Sequence, residues 1–389
     1  MYNIDDLFEK RSIVGSKLEE LLHRQEITKA KFCAETGISR PTLDKLLTGN
    51  ITNKVNFGNH MEKVLRYLSM TSDMFMGNIR NPYIKAKSLR SALHIKVSEI
   101  SRLTGISSER ILEIESGVEA SMAELRDIAL CFGVGVKSLL GESFFIPQIA
   151  VLADIIQLPE GVDGDYISGF WGHIGILPVH SKEYLWYPIT TNTRSLIYHM
   201  QNKQHMIVPC MNNKLLYLNM QNVNSIILLD EACDQPGFTN WDSNIICGEI
   251  PQVVYESLDD YFYYMDLGNE PEPEEFSPKF IAAMKQITEN MEWDQDVVYD
   301  ITHSMTIHYT HNDVVTTSVD FNYSDSLVNE IETAYNFEDY NSSERMFFYH
   351  DLDGIEIMVN KDNISVIELP LSKTEDAIST AFFDEIKES

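Results

Sequence analysis

The stretch KFCAETGISRPTLDKLLTG at residues 31–49 is the most informative part of the sequence, because its pattern returns as SEISRLTGISSERILEIESG at residues 98–117. The central glycines, Gly37 and Gly105, stand at the same place in the two copies. Each copy has a small residue in a first apolar segment, then the glycine, then a second apolar segment. This spacing is typical of two short helices that cross closely and are joined by a tight turn.

In the first copy, local signals indicate where both helices begin and end. Thr28 suits the N-cap of a helix from Lys29 to Thr36, and Gly37 suits the left-handed residue that ends it. Ser39 then caps a second helix from about Arg40 to Leu47, with Leu43, Leu46 and Leu47 on its apolar side. A helix-turn-helix of this kind is a DNA-binding motif.

Residues about 13–141 resemble, in tandem, the helix-turn-helix domains of the Cro/cI/XRE repressor family. The resemblance extends beyond the motif, since Leu18 and Leu21 take the family's first-helix positions. Downstream of the second copy, LRDIALCFGVGVKSLLG at 125–141 is similar to the family's helices four and five. The resemblance implies two five-helix, lambda-repressor-like bundles that bind double-stranded DNA.

The resemblance also implies which residues meet DNA, since the family uses the start of helix two and the exposed side of helix three. In the first copy these positions hold the basic and hydroxylic residues Thr28, Lys29, Ser39, Arg40, Thr42 and Lys45, as contacts with phosphates and base edges require. In the second copy they hold Lys96, Ser107, Ser108 and Arg110, and Glu113 replaces Lys45. We expect the first copy to read DNA. The second either contacts DNA or is a degenerate bundle used for packing or dimerisation.

Charge is distributed unevenly along the chain. Residues 1–141 hold 20 Lys and Arg against 17 Asp and Glu, while residues 142–389 hold 10 against 42. The net charge of −29 therefore comes from the C-terminal part. So negative a region repels the nucleic-acid backbone, which assigns any DNA contact to the N-terminal third. Acidic surfaces also keep proteins soluble, and this alternative stays open.

The chain of 389 residues is long enough for several domains. No apolar run approaches the ~18 residues of a membrane span, and the N-terminus lacks a signal-peptide core, so we expect a cytoplasmic protein. The odd count of five cysteines, with no C-x-x-C pair, argues against a disulfide framework.

Beyond residue 145 the pattern alternates as in β-strands. Short strands are predicted at EYLWYPIT, RSLIYHM, HMIVPC, KLLYLNM and NSIILLD, all within residues 183–230. Further along, the sequence predicts a hairpin turning at 311–313, a helix at 325–337 and three strands in 346–369 with a turn at Asp353-Gly354. Two helices, PQVVYESLDDYFYYM and SPKFIAAMKQITENM, separate the two sets, joined by an acidic loop, 268–275, that we interpret as a linker.

The two strand sets are related by a constant offset, which aligns Leu216 with Ile357 and Asn219 with Asn360. This indicates a duplicated β-unit, each the size of a small SH3- or Sm-like barrel or bent sheet. The helix at 325–337 has no counterpart in the first unit by this alignment. The predicted fold is thus multidomain α + β, with two helix-turn-helix bundles, a duplicated β-region and connecting helices. Its predicted domains are residues 1–79, 80–141, 142–250, 251–298 (the helical, acidic connector) and 299–389.

The sequence offers little sign of catalysis. His303, His308 and His311 cluster in the sequence, but their spacing is not that of metal ligands on one helix, and we interpret them as surface histidines of a hairpin. No phosphate loop, H-E-x-x-H or G-x-S-x-G is present. We therefore expect no enzymatic activity, cofactor or metal.

Three function classes stay open. The leading hypothesis is a sequence-specific transcriptional regulator, a repressor that binds double-stranded DNA as a homodimer, with an acidic C-terminal region for oligomerisation or for sensing a protein or small-molecule signal. The second is an antitoxin or phage-defence control protein whose C-terminal region binds a protein partner. The third is an enzyme of unrecognised type. A co-purifying partner would favour the second class, and a pocket with convergent titratable groups the third.

Overall fold

The computed structural model describes residues 4–24, 27–68, 72–76, 84–149, 169–230, 236–237, 239–241, 250–267, 272–336 and 345–388. By its contacts the chain forms two compact units, the first made of Met1–Lys87 with Ser107–Ala120 and the second of Ser88–Ile106 with Ser121–Ser389. The helices of the N-terminal third are α1 (Ile4–Glu9), α2 (Arg11–Arg24), α3 (Lys29–Thr36), α4 (Arg40–Leu47), α5 (Lys54–Tyr67), α6 (Ser72–Met76), α7 (Ala86–Ala92), α8 (Val97–Thr104), α9 (Ser108–Glu115), α10 (Met122–Phe132) and α11 (Val136–Leu140).

In the first unit, α1 to α6 share one apolar core. Phe32 of α3, Leu43 of α4, and Phe57, Met61 and Val64 of α5 are all buried in it. The predicted bounds of α3 and α4 are confirmed, and so are the N-caps Thr28 and Ser39. The core therefore fixes the two helices of the first sequence copy against α2 and α5.

The second sequence copy has the same local conformation as the first. Gly37 and Gly105, with φ of 66° and 84°, both take the left-handed conformation that a side chain with a Cβ rarely adopts. Helices α3, α4, α8 and α9 are each 8 residues long. However, α8 belongs to the second compact unit and α9 to the first, so residues 80–141 are shared between the two units.

The second unit contains the strands and the remaining helices. Its strands are β1 (Phe170–Pro178), β2 (Leu185–Thr190), β3 (His205–Pro209), β4 (Lys214–Asn219), β5 (Val223–Asp230), β6 (Ser304–Tyr309), β7 (Val314–Ser318), β8 (Met346–His350), β9 (Glu356–Asn360) and β10 (Ile364–Pro370). Its further helices are α12 (Thr191–Met200), α13 (Gln252–Leu267), α14 (Pro278–Asn290), α15 (Gln295–His303), α16 (Asp325–Tyr335) and α17 (Leu371–Glu388).

Helix α10 packs against the helical hairpin of α13 and α14. Arg126 of α10 is buried, stacks on the ring of Phe276 at 4.0 Å and donates a hydrogen bond of 2.6 Å to Asp260. Its guanidinium also donates to the backbone carbonyl of Glu275. The acidic loop interpreted as a linker lies outside the described residues at 268–271. Its end, residues 272–275, is docked on α10, because Glu275 supplies one of these acceptors.

The strands form open sheets with the orders β2-β1-β5, β3-β4-β10-β6-β7 and β8-β9, all antiparallel. Within the described residues none of these sheets closes, so of the two expected forms, a small barrel or a bent sheet, the barrel is wrong. The strands pair across the two sequence repeats instead of closing each repeat, since β4 of the first pairs with β10 of the second. The shared apolar core lies between these sheets and α12, α16 and α17.

The duplication predicted from the sequence alignment of the two strand sets is visible in the order of elements. In the first repeat, the hairpin β3-β4 is followed by a 3₁₀ turn and β5; in the second, the hairpin β8-β9 is followed by a 3₁₀ turn and β10. Asn219 and Asn360 cap the two 3₁₀ turns in the same way, each accepting from the backbone N–H two positions further on. The paired asparagines of the sequence are therefore equivalent turn residues.

Two predictions about the first repeat are wrong. RSLIYHM is not a strand but most of helix α12, which begins at the N-cap Thr190 and buries Thr193, Leu196, Ile197 and Met200 at helical spacing. Helix α12 lies between β2 and β3 as α16 lies between β7 and β8, so α16 does have a counterpart.

The histidines are not hairpin-surface residues as a group. His303 ends helix α15 and lies 3.7 Å from Asp259, and only His311 is on the β6-β7 turn. His308 is largely buried, with Nε2 2.8 Å from the carboxylate of Glu368. Burial opposes the charge on Glu368, but hydrogen bonding with His308 and attraction to Lys214 hold its pKa below the ordinary value. His308 was misjudged because its partner lies far along the chain, on β10.

Candidate nucleic-acid interface

The apolar side of α4 determines which residues the helix exposes. Leu43, Leu46 and Leu47 are buried in the core of the first unit, and Ile38 anchors the turn that precedes the helix. The opposite side of α4 is exposed, and it carries the side chains of Arg40, Asp44 and Lys45. Because α4 has 8 residues, these side chains lie along one helix about 12 Å long.

Hydroxyl side chains hold the starts of α3 and α4. Thr28 Oγ1 accepts a hydrogen bond from the Lys31 N–H, and Ser39 Oγ accepts one from the Thr42 N–H. Ser39 Oγ also lies 2.8 Å from Thr42 Oγ1. The exposed helix starts present backbone N–H groups and hydroxyls, which are the groups that bind phosphate oxygens.

An ion pair joins the start of α3 to the exposed side of α4. Lys29 Nζ lies 3.4 Å from Asp44 Oδ1, with the two side chains 41% and 54% exposed. A pair so exposed contributes at most about 1 kcal/mol to stability. Its geometry nevertheless places Lys29 beside α4.

Arg40 and Lys45 are exposed cations without a carboxylate partner in the described part of the chain. Their charge is thus available to an external anion. The structure therefore brings the first-copy candidates to α4 and the start of α3: Thr28, Lys29, Ser39, Arg40, Thr42 and Lys45.

The second-copy candidates differ in their surroundings. Arg110 donates to Glu113 Oε2 at 3.2 Å and to the carbonyl of Glu119 at 2.7 Å, so its guanidinium is engaged within the protein. Ser107 caps α9 and Ser108 is half-buried, whereas Lys96 is exposed at the start of α8, in the other compact unit. Leu112, 51% exposed, stands beside Glu113 on α9. The exposed side of α9 is therefore acidic and apolar rather than basic.

Two features near the first copy were missed by sequence reasoning. The contact of Asp44 with Lys29 was not predicted, because no local signal links positions so far apart in the sequence. The exposed start of α5 is a third helix N-terminus in this domain, capped by Asn53, whose Oδ1 accepts from the Asn56 N–H at 2.9 Å. The signal was the Asn53 cap before an amphipathic segment.

Residues 17–73 match the family of Cro/C1-type helix-turn-helix DNA-binding domains. These residues form one Cro/C1-type domain, which contains α3, α4 and α5 entire. The match does not extend to a second, tandem domain. Neither a curated protein nor a solved structure matches the chain. A domain of this class supports a role in binding DNA and regulating transcription.

In the described ranges, none of the helices combines the length and the apolar composition that crossing a membrane requires.

Proposed function

We propose that this protein is a sequence-specific transcriptional repressor that binds double-stranded DNA as a homodimer through α4. The observation that carries the proposal is the pair of unpartnered cations, Arg40 and Lys45, on the exposed side of α4 within the Cro/C1-type domain of the described chain. Arginine and lysine donate to guanine edges and to phosphates, and the hydroxyl of Thr42 between them can donate or accept. In this proposal the protein works in the cytoplasm, where its operator is.

We further propose that the second copy keeps a helix-turn-helix conformation but serves packing. Two observations support this role: the salt bridge of Arg110 with Glu113, and the docking of α10 on α13 and α14 through Arg126. Lys279 of α14 adds to it by donating to the carbonyl of Leu103 at the end of α8. The acidic C-terminal region then serves oligomerisation or signal sensing, since its charge opposes contact with DNA.

The proposal is tested by replacing the two exposed cations. After genome-wide mapping of binding sites has defined the operator, the double variant Arg40→Ala, Lys45→Ala is expected to lose about 2–5 kcal/mol of operator binding, at ~1–3 kcal/mol per specific contact. The matched control is Lys63→Ala with Arg66→Ala, which removes the same charge from exposed positions near the end of α5.

The control separates a local contact from a change in net charge. We expect the control variant to bind DNA with an affinity within a few-fold of the wild type at matched salt. Its two substitutions lie near the C-terminal end of α5, away from the N-terminal turn, which is the end of a helix that attracts phosphates. Equal losses in both double variants, or wild-type affinity in the first, would contradict the assignment of α4 as the reading helix.

A further inference from the structure

Strands β2 and β7 occupy equivalent positions in the two β-repeats. Each is the outer strand of its sheet, paired on one side with the strand before it, β1 or β6. Edge strands expose backbone N–H and C=O groups that can pair with another chain, and proteins usually cover or interrupt them. The two edges can therefore be compared within one molecule.

The outer edge of β2 is covered by the chain itself. The Tyr184 N–H donates to Asn240 Oδ1 at 2.7 Å, and Asn240 Nδ2 donates back to the Tyr184 carbonyl at 3.0 Å. Further along, the Met211 N–H donates to the carbonyl of Pro188 at 2.9 Å, and Pro188 has no N–H to expose. Both ends of this edge are thus occupied.

The outer edge of β7 differs from that of β2 in its backbone hydrogen bonds. The Tyr309 N–H donates to the Asp313 carbonyl and the Val319 N–H to the His303 carbonyl, so the backbone groups of 313 and 319 face β6. By alternation, those of Val314 and Thr316 face outward, and in the described chain neither has a backbone hydrogen-bond partner.

One contact limits the open stretch at its far end. The Leu352 N–H donates to Ser318 Oγ at 3.3 Å, and Leu352 is equivalent to Met211 in the alignment of the two repeats. No equivalent of Asn240 covers Val314 among the described residues. The open edge is therefore Val314 to Thr316, where Val314 and Val315 are 56% and 44% exposed.

The composition of β7 selects the partner. Residues 142–389 hold 42 acidic against 10 basic residues, so two copies of this region repel each other wherever carboxylates face each other. Strand β7, VVTTS, carries no charge and none of the Lys or Pro residues that guard edge strands. A second copy can therefore pair along β7 itself without bringing charged residues of the two strands together.

We propose that two copies of the chain pair through β7, antiparallel, about a twofold axis at Val315. This register places Val314 opposite Thr316 of the second copy, so their outward N–H and C=O groups exchange hydrogen bonds as in an ordinary antiparallel ladder. Val315 then lies opposite Val315 of the second copy, and the pairing covers the exposed side chains of Val314 and Val315. The inference rests on the proposed function, in which a homodimer reads DNA, and it assigns the contact that forms the dimer.

The first test removes the outward N–H without touching the pairing with β6. Thr316→Pro deletes that donor, and Thr316→Ala is the matched control, because it loses the hydroxyl beside Thr306 but keeps the N–H. By sedimentation or light scattering, we expect full-length wild type and Thr316→Ala to dimerise and Thr316→Pro to dissociate at least tenfold more readily. A monomeric wild type, or equal dimerisation of all three, would overturn the proposal.

The second test does not depend on how well the proline variant folds. In the proposed register Val315 lies opposite itself in a non-hydrogen-bonded pair, whose Cα atoms are about 4.5 Å apart, within disulfide reach. Under mild oxidation Val315→Cys should therefore cross-link two chains above the wild-type background, while Thr316→Cys, opposite Val314, should not. Cross-linking at neither position, or at Thr316→Cys alone, would refute the register.

The result of these dimerisation tests can be distinguished from the result of the operator-binding test. The double variant Arg40→Ala, Lys45→Ala is expected to remain a dimer, and Thr316→Pro is expected to keep its affinity for a single half-site. Failure of operator binding with dimerisation intact contradicts only the proposed function. A monomer that binds DNA contradicts only the β7 contact.

Discussion

The carboxyl group of Glu256, on α13, has a pKa that is raised strongly toward neutral pH. Its carboxylate accepts a hydrogen bond of 2.8 Å from the Val136 N–H at the start of α11. Burial raises its pKa from 4.5 to about 7; the carboxylates of Glu375 and Asp376 add to the shift, and the Val136 N–H and Lys137 oppose it. The folded protein therefore holds a proton on Glu256 that the unfolded chain releases.

This sign gives a pH dependence of stability. Between pH 4.5 and about 7 the folded state binds more protons than the unfolded state, so the free energy of unfolding falls as pH rises through this window. Across this window we expect the titration of Glu256 to lower the free energy of unfolding by about 1–3 kcal/mol. This follows from ~1.4 kcal/mol per pKa unit, reduced because the residue is only half-buried.

The measurement compares the wild type with Glu256→Gln, which keeps an oxygen for the Val136 N–H but cannot ionise. Tryptophan fluorescence reports the second unit, since all four tryptophans lie in it. Between pH 5 and pH 8 the wild type should lose about 1–3 kcal/mol more stability than the variant. A constant difference between the two proteins at both pH values would show that the carboxyl does not titrate in this window.

At the scale of elements, α4 and α9 test whether a shared conformation implies a shared role. Both helices have 8 residues and a serine N-cap, but α4 exposes Arg40 and Lys45 where α9 has Ser108 and Glu113. We predict that Arg110→Ala changes operator affinity less than about twofold, because its guanidinium is engaged by Glu113 and Glu119. Arg40→Ala alone should weaken binding about tenfold or more. A loss of affinity in Arg110→Ala similar to that in Arg40→Ala would assign α9 a direct contact with DNA.

Elements with strong local signals were predictable from the sequence. Caps such as Thr28 and Ser39 and the left-handed Gly37 fixed α3 and α4 to the residue, because each signal acts within a few positions. The hairpin turn at Gly354 was predictable from the sequence in the same way. The candidate surface around α4 was implied by the family resemblance, and these local signals placed its residues on the two helices.

Elements that depend on distant contacts were not predictable. Strand β1 was missed because its glycines weaken the strand pattern, yet a Cβ at Gly175 would lie 2.6 Å from the ring of Trp186 on β2. Helix α12 was read as a strand because its aromatic and β-branched residues outweighed the spacing of Leu196, Ile197 and Met200. The pairing of β4 with β10 and the ion pair of Lys29 with Asp44 carry no local signature at all.

At the scale of the whole molecule, charge separates the DNA-binding domain from the rest of the chain. Residues 1–79 hold 11 basic and 10 acidic residues, while residues 80–389 hold 19 and 49. A net charge of −30 in the same chain lowers the affinity for any DNA, and salt screens this repulsion. The buried residues of the core formed by α1 to α6 all lie between Leu7 and Met76, within residues 1–79. A fragment that ended at residue 141 would instead contain α10 without α13 and α14, against which α10 packs.

We therefore predict opposite effects of isolating residues 1–79. Its affinity for scrambled DNA should rise about tenfold, with a steeper loss on adding salt, because the repulsive field is gone. In the proposed dimer β7 joins the two chains, so the affinity of this fragment for a twofold operator should fall at least about 100-fold. Titrations of both DNAs at two salt concentrations, with circular dichroism to verify folding, measure the two effects separately. If the fragment binds both DNAs as the full chain does, the C-terminal region neither repels DNA nor assembles the dimer, and its role would have to be sought in a partner of its own.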